Sequence, residues 1–329
     1  MKKRIVRSIS VLPTLLTLGN AFCGFLAMAY VADAVGGFGR NPAVSPDELI
    51  QRAAWLVFLA MVFDALDGRI ARITRTDSNF GAELDSLCDV ITFGVTPAFL
   101  VKVIVQQDAP NLFATHPRLA LWFSVLFVAC SILRLARYNV ENISGRSGPQ
   151  HYFRGLPTPA AAGVIASLVV LHYDLQRNQL LIDIFGKGAC DAFGSLLLNS
   201  LPVLAVLLGL LMISRFPFAH VVNRLTRGRR PLTYVITLIF FLVLAAFFTE
   251  VFLAVAFCGY VIGSLAAKLV PGPWRRDIDR FAGEEEDDDE EDEGDESDEG
   301  EEEGGEAPGD RAASGGASSG GGERPGRAE

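Results

Sequence analysis

The chain is poor in the residues that staple or decorate small folds. It has five cysteines in 329 residues: Cys23, Cys88, Cys130, Cys190 and Cys258. None forms a C-x-x-C pair and four lie in apolar runs, which excludes a disulfide framework or a zinc site of that kind. Its four histidines, His116, His151, His172 and His220, show no metal-ligand spacing. There is no phosphate-cradling glycine loop, no serine-nucleophile motif and no nucleic-acid signature. Charge is scarce too: 20% of residues are Asp, Glu, Lys or Arg, while half are hydrophobic. Several long apolar stretches then define the class, a multi-span membrane protein of helical type.

The net charge of −9 averages two unlike parts. Residues 284–329 carry 21 acidic and 3 basic residues, and residues 1–283 carry 17 acidic and 26 basic ones. The acidic stretch EEEDDDEEDEGDESDEGEEEGGE has no aromatic residue and little to bury, so it is expected to be a disordered, self-repelling tail. A membrane domain over 1–280 and a tail over 281–329 follow. The N-terminal apolar run is too long for the core of a signal peptide and reads as a retained span.

Eight candidate helices lie at about 11–32, 53–72, 80–105, 119–138, 157–173, 195–214, 231–248 and 251–268, a bundle that is all-α. The last two form one apolar run broken only by Thr249 and Glu250. Lys and Arg alternate in density along the loops, with twenty on the sides shared with the N-terminus and six on the other. The positive-inside rule puts both termini in the cytoplasm. The basic clusters flank spans, so their expected partner is the anionic surface of membrane lipids.

One stretch breaks the apolar pattern. DALDGRIARITRTDSNFGAELDSLCD, residues 64–89, sits at the cytoplasmic ends of the second and third spans and carries Asp64, Asp67, Asp85 and Asp89. At about 100° per residue, Asp67, Gly68, Ala71 and Arg72 fall at about −60°, +40°, −20° and +80° from Asp64, on one face. On the next helix Asp85 and Asp89 fall at about +40° and +80° from Gly81, again one stripe. The short connection makes these helices antiparallel neighbours whose acids face one cleft. Intramembrane charges are expensive and mark function by default. Four like charges in one cleft repel each other, and a divalent cation removes the conflict. Hard carboxylate oxygens suit Mg²⁺ or Mn²⁺ shared with substrate phosphates. Gly68, Ala71 and Gly81 leave room for a ligand, although small residues on such faces also serve helix packing. Arg72 offers a planar cation for a phosphate.

Asn20, alone among apolar residues of the first span, either contacts that ligand or hydrogen-bonds to a neighbouring helix. Arg134 and Arg137, three apart at the cytoplasmic end of the fourth span, either hold an acceptor carboxylate or a phosphate, or anchor the helix by snorkelling. A cation or proton transporter would also place acids in a membrane, but along several helices and often with an inverted repeat, which this sequence lacks. An assembly protein with a vestigial site is the third reading.

The spacing Asp64-x-x-Asp67-Gly68-x-x-Ala71-Arg72, eight residues, Gly81-x-x-x-Asp85-x-x-x-Asp89 resembles the signature of the CDP-alcohol phosphatidyltransferase family at every fixed position. LPTLLTLGNAFCGFLAM (12–28), DSLCDVITFGVTPAFL (85–100), ILRLARYNVE (132–141) and YFRGLPTPAAAG (152–163) resemble its phosphatidylserine synthase branch. The resemblance implies a membrane enzyme, usually a homodimer, that moves a phosphatidyl group from CDP-diacylglycerol to an alcohol using divalent metal. The branch implies L-serine as acceptor; glycerol 3-phosphate and inositol phosphate are the acceptors of sister branches. It further implies Asp64, Asp67, Asp85 and Asp89 as metal ligands, with Asp89 also the general base. Gly68, Ala71, Arg72, Gly81 and Asn20 would form the CDP-lipid pocket. A bacterial plasma membrane is the location the family type suggests.

Overall fold

The computed structural model describes residues 2–36, 44–74, 79–108, 116–143, 152–214, 217–219 and 248–269. Among these, seven helices are long and apolar enough to cross a membrane. The expected span at 231–248, the boundary expected at 280 and the acidic tail lie outside the described residues.

The first helix, α1 (Lys2–Gly36), packs along α2 (Pro46–Thr74) in the most extensive helix pairing of the fold. α2 begins seven residues before the expected start. Ser45 accepts from the Glu48 N–H at 3.2 Å and closes its first turn, where Asp47 and Glu48 suit the positive end of the helix dipole. This polar turn has no apolar signal, which is why hydrophobicity alone starts the helix late.

The third span is one rod made of three pieces: α3 (Asn79–Asp89), a π-helical turn (Val90–Val95) and α4 (Thr96–Asp108). Pro97 explains the break. It has no N–H to donate and its ring crowds the preceding turn, so regular pairing cannot run through it. The Thr96 N–H reaches back five residues to the Ile91 carbonyl, and the Thr96 hydroxyl donates to the same oxygen at 2.9 Å. Such π-turns insert one residue into a helix and recur at functional sites.

α5 (Pro117–Ile143) packs on α8 (Lys187–Ile213) and α4. α6 (Thr158–Arg177), the buried centre of the bundle with fifteen buried residues of twenty, packs against α2 and α8. Its Ala160-Ala161-Ala162-Gly163 run allows close approach. A Cβ at Gly163 would collide with the Phe257 ring of α9 (Thr249–Leu269), which lies across this face. The short α7 (Gln179–Phe185) links α6 to α8. Two three-residue strands, β1 (Tyr152–Arg154) and β2 (Pro217–Ala219), pair antiparallel at the end of the bundle where α6 begins and α8 finishes. Gly155, at φ +89°, turns the chain from β1 into α6, and a side chain there would strike the Met212 carbonyl. The five cysteines are all free thiols.

Candidate active site

The acids occupy the end of the bundle where α2 finishes and α3 begins. Asp64 and Asp67 are three apart on α2, and Asp85 and Asp89 four apart on α3, so each pair shares a helix face. Asp64, Asp67 and Asp85 each present a carboxylate oxygen, and these three oxygens lie within 4.8 Å of one another. Asp89 stands outside that group but within electrostatic range of all three. α2 and α3 themselves barely touch; α1 packs against both and holds them across the gap. The direct helix pairing expected from the short connection thus becomes a cleft with α1 as its back wall. Facing rows of carboxylates cannot close on each other without a counter-ion.

Two oxygens in this group are stranded. Asp67 Oδ2 and Asp85 Oδ1 are buried and have no hydrogen-bond partner. Buried acceptors without a partner are costly, and unpaired carboxylates more so. Three converging oxygen donors with two stranded atoms fit a hard divalent cation of the Mg²⁺ or Mn²⁺ kind. Beside them a Cβ added at Gly68 would meet nothing within 4 Å, so this glycine faces open space rather than a packed helix. Ala71 and Gly81 are half-buried on the facing ends of α2 and α3. The Arg72 side chain lies outside the described residues.

Asn20 is fully buried on α1, and its Nδ2 donates to Asp89 Oδ1 at 3.1 Å. Of the two expectations for Asn20, helix-to-helix hydrogen bonding is the one seen, and its partner is an acid of the cluster. Arg134 also turns inward. Its Nη1 donates to Thr158 Oγ1 at 2.7 Å, its Nε is buried without a partner, and Asp89 is within its electrostatic range. Tyr138 and Tyr260 lie near it. Arg137, one turn further along α5, is half-buried. Residues that sequence reasoning did not single out join the site here. Thr17 sets its hydroxyl between the Pro13 carbonyl, at 3.0 Å, and the Asp67 carboxylate. Thr158 and Tyr260 come from α6 and α9; Thr17 and Thr158 lie in stretches that carried a resemblance, and Tyr260 does not.

A membrane bundle that gathers carboxylates from two helices where a hard cation could sit, with a half-buried guanidinium alongside, has side chains of the kind phosphoryl-transfer enzymes use. The sequence profile of the CDP-alcohol phosphatidyltransferase family matches residues 10–189. That segment holds every residue of the cluster, and the chain belongs to this family. Similar curated proteins include a CDP-diacylglycerol–serine O-phosphatidyltransferase of Methanocaldococcus jannaschii, 38% identical over 170 residues (52% of this chain, 65% of the relative). A protein of the same name from Helicobacter pylori is 34% identical over 166 residues (50% and 60%). An archaetidylserine synthase of Methanothermobacter thermautotrophicus is 36% identical over 170 residues (51% and 61%). The chain thus spans somewhat less than two thirds of the length of these relatives.

Proposed function

We propose that the protein transfers the phosphatidyl group of CDP-diacylglycerol to L-serine, giving phosphatidylserine and CMP. The observation that carries this reading is the group formed by Asp64, Asp67 and Asp85, with its two stranded oxygens, next to a separate acid, Asp89. Asp64, Asp67 and Asp85 would hold a divalent cation, Asp89 adding a ligand to a second one. A bound Mg²⁺ or Mn²⁺ supplies charge neutralisation for the pyrophosphate oxygens and for the departing CMP.

The remaining work falls to the chain's own residues. Asp89 takes the proton from the serine hydroxyl. The hydroxyl oxygen bonds to the lipid-side phosphorus, the phosphoanhydride bond breaks, and CMP departs with the electron pair. A carboxylate is a weak base for an alcohol, so positioning at the phosphoryl centre supplies much of the effect. The open space beside Gly68, flanked by Ala71, Gly81 and Arg72, would take the cytidine diphosphate. Arg134, held by Thr158, would take the serine carboxylate, with Arg137 further along the same helix. The cytidine faces the cytoplasm if both termini do, as the asymmetry of Lys and Arg supports. A homodimer and a plasma-membrane location rest on family type, and the relatives, archaeal as well as bacterial, do not narrow the membrane.

Clustering of the acids at one end of two helices disfavours a transport path, which needs polar groups through the bilayer. The test is CMP release by purified protein with Mn²⁺, CDP-diacylglycerol and a panel of alcohols. We expect release with serine, and none with glycerol 3-phosphate or inositol phosphate. The relative named for an archaetidyl product calls for a second arm with CDP-archaeol. Absence of CMP with every alcohol and both lipids would overturn the enzyme reading. Arg134→Ala is expected to raise the KM for serine about 10- to 100-fold, as losing a charged hydrogen bond of about 1.5–3 kcal/mol requires. The KM for the CDP-lipid should hold, and an unchanged serine KM would remove Arg134 from the acceptor site.

A further inference from the structure

Asp89 is held in a way the other three acids are not. Asn20 Nδ2 donates to its Oδ1 at 3.1 Å, and both residues are buried, 0% and 8% exposed. The Asn20 side chain is itself fixed through its backbone. Thr92 of the π-turn donates to the Asn20 carbonyl at 3.1 Å, and Thr96 donates to the Gly24 carbonyl, one turn along α1, at 3.2 Å. Gly24 permits this approach: a Cβ there would stand 2.5 Å from Thr92 Oγ1 and 2.9 Å from Thr92 Cα. α1 therefore meets the third span most tightly one turn beyond Asp89, at the π-turn. Asn20 gains little for itself, because its buried Oδ1 has no hydrogen-bond partner. A side chain serving packing alone would not leave a buried acceptor stranded.

We propose that Asn20 is a positioning residue for Asp89: seated on the π-turn by Thr92 and Thr96, its amide holds one carboxylate oxygen and leaves the other to take the proton. The inference rests on the base role proposed above for Asp89. One hydrogen bond to a carboxylate fixes the rotation of the group. It also keeps Asp89 from swinging into the Asp64–Asp67–Asp85 group as a fourth ordinary ligand.

The test uses the full chain in detergent. Asn20→Asp keeps the shape without the donor, Asn20→Leu keeps the volume without the donor, and Asn20→Ser keeps a short donor. Loss of a residue that orients a catalytic or ligating group costs about 10- to 100-fold in activity. We expect that loss in kcat for Asp and Leu, a smaller one for Ser, and a KM for CDP-diacylglycerol changed by no more than about threefold. A packing role would instead spare the Leu and Asp variants. A readout independent of turnover is thermal stability: Asn20→Asp should lower Tm by facing two carboxylates, and adding Asp89→Asn should restore it by exchanging donor and acceptor. Full kcat in both donorless variants, or no recovery of Tm on the exchange, would overturn the inference. If the wild-type chain releases no CMP, the enzyme reading fails on its own, and the exchange still decides whether the two side chains form a pair.

Discussion

Asp89→Asn is expected to lower CMP release by about 10²- to 10⁴-fold, the usual contribution of a positioned general base, with the KM for CDP-diacylglycerol nearly unchanged. The substitution is close to isosteric. The new amide oxygen can still accept from Asn20 Nδ2, so the contact that locates residue 89 survives. Basicity, charge and the ligand proposed for a second cation are lost. The CDP-lipid would still find Asp64, Asp67 and Asp85, which lie within 4.8 Å of one another without Asp89. The effect should therefore fall on kcat. Single-turnover CMP release separates this from slow product departure. Turnover within a few-fold of wild type would show that another group accepts the proton.

Asp67→Asn should raise the stability of the metal-free chain and abolish the response to metal. In the metal-free chain Asp67 Oδ2 is buried and unpartnered, and an oxygen of this carboxylate lies within 4.8 Å of oxygens of Asp64 and Asp85. An amide there can donate to those carboxylates, and one like charge disappears. The metal-free variant should melt above the metal-free wild type, as expected when function keeps a strained site. Wild type should gain about 2.7 kcal/mol from Mn²⁺ at a hundred times its Kd. That corresponds to about 5–10 °C in Tm for a chain of this size. The variant should gain almost nothing and release almost no CMP. A full Mn²⁺ shift in Asp67→Asn would mean that the cation binds elsewhere.

The spans were legible because each is an apolar run bounded by polar residues. What escaped was polar or small. α2 starts at Pro46 and α8 at Lys187 because their first turns, PDELIQR and KGACDAFG, are capped or amphipathic rather than apolar. The π-turn escaped because Pro97 reads as a kink or a break, and only the Thr96 bonds show how the helix absorbs it. That α6 lies at the centre was also hidden, since Ala and Gly at lipid and at helix neighbours look alike in one sequence.

At the site, the acids on α2 and α3 were legible because local spacing fixes a helix face. The partners were not. Asn20 and Asp89 are separated by 69 residues and Arg134 and Thr158 by 24, and no periodicity within one helix predicts either meeting. The role of α1 as the wall holding α2 and α3 apart was likewise invisible, because only three-dimensional packing shows that two consecutive helices barely touch.

The seclusion of α6 bears on how the chain is made. It is among the least greasy of the seven described spans and the most enclosed. A segment with four alanines and with His172, Asp174 and Arg177 toward its end partitions only weakly into acyl chains when it leaves the ribosome alone. Its residence in the bilayer would then depend on α8 and α9, which emerge later and shield it. Cutting synthesis short before α9 should leave α6 reluctant to stay inserted, so the half of the sequence that holds the four clustered aspartates borrows its membrane integration from the half that holds none of them.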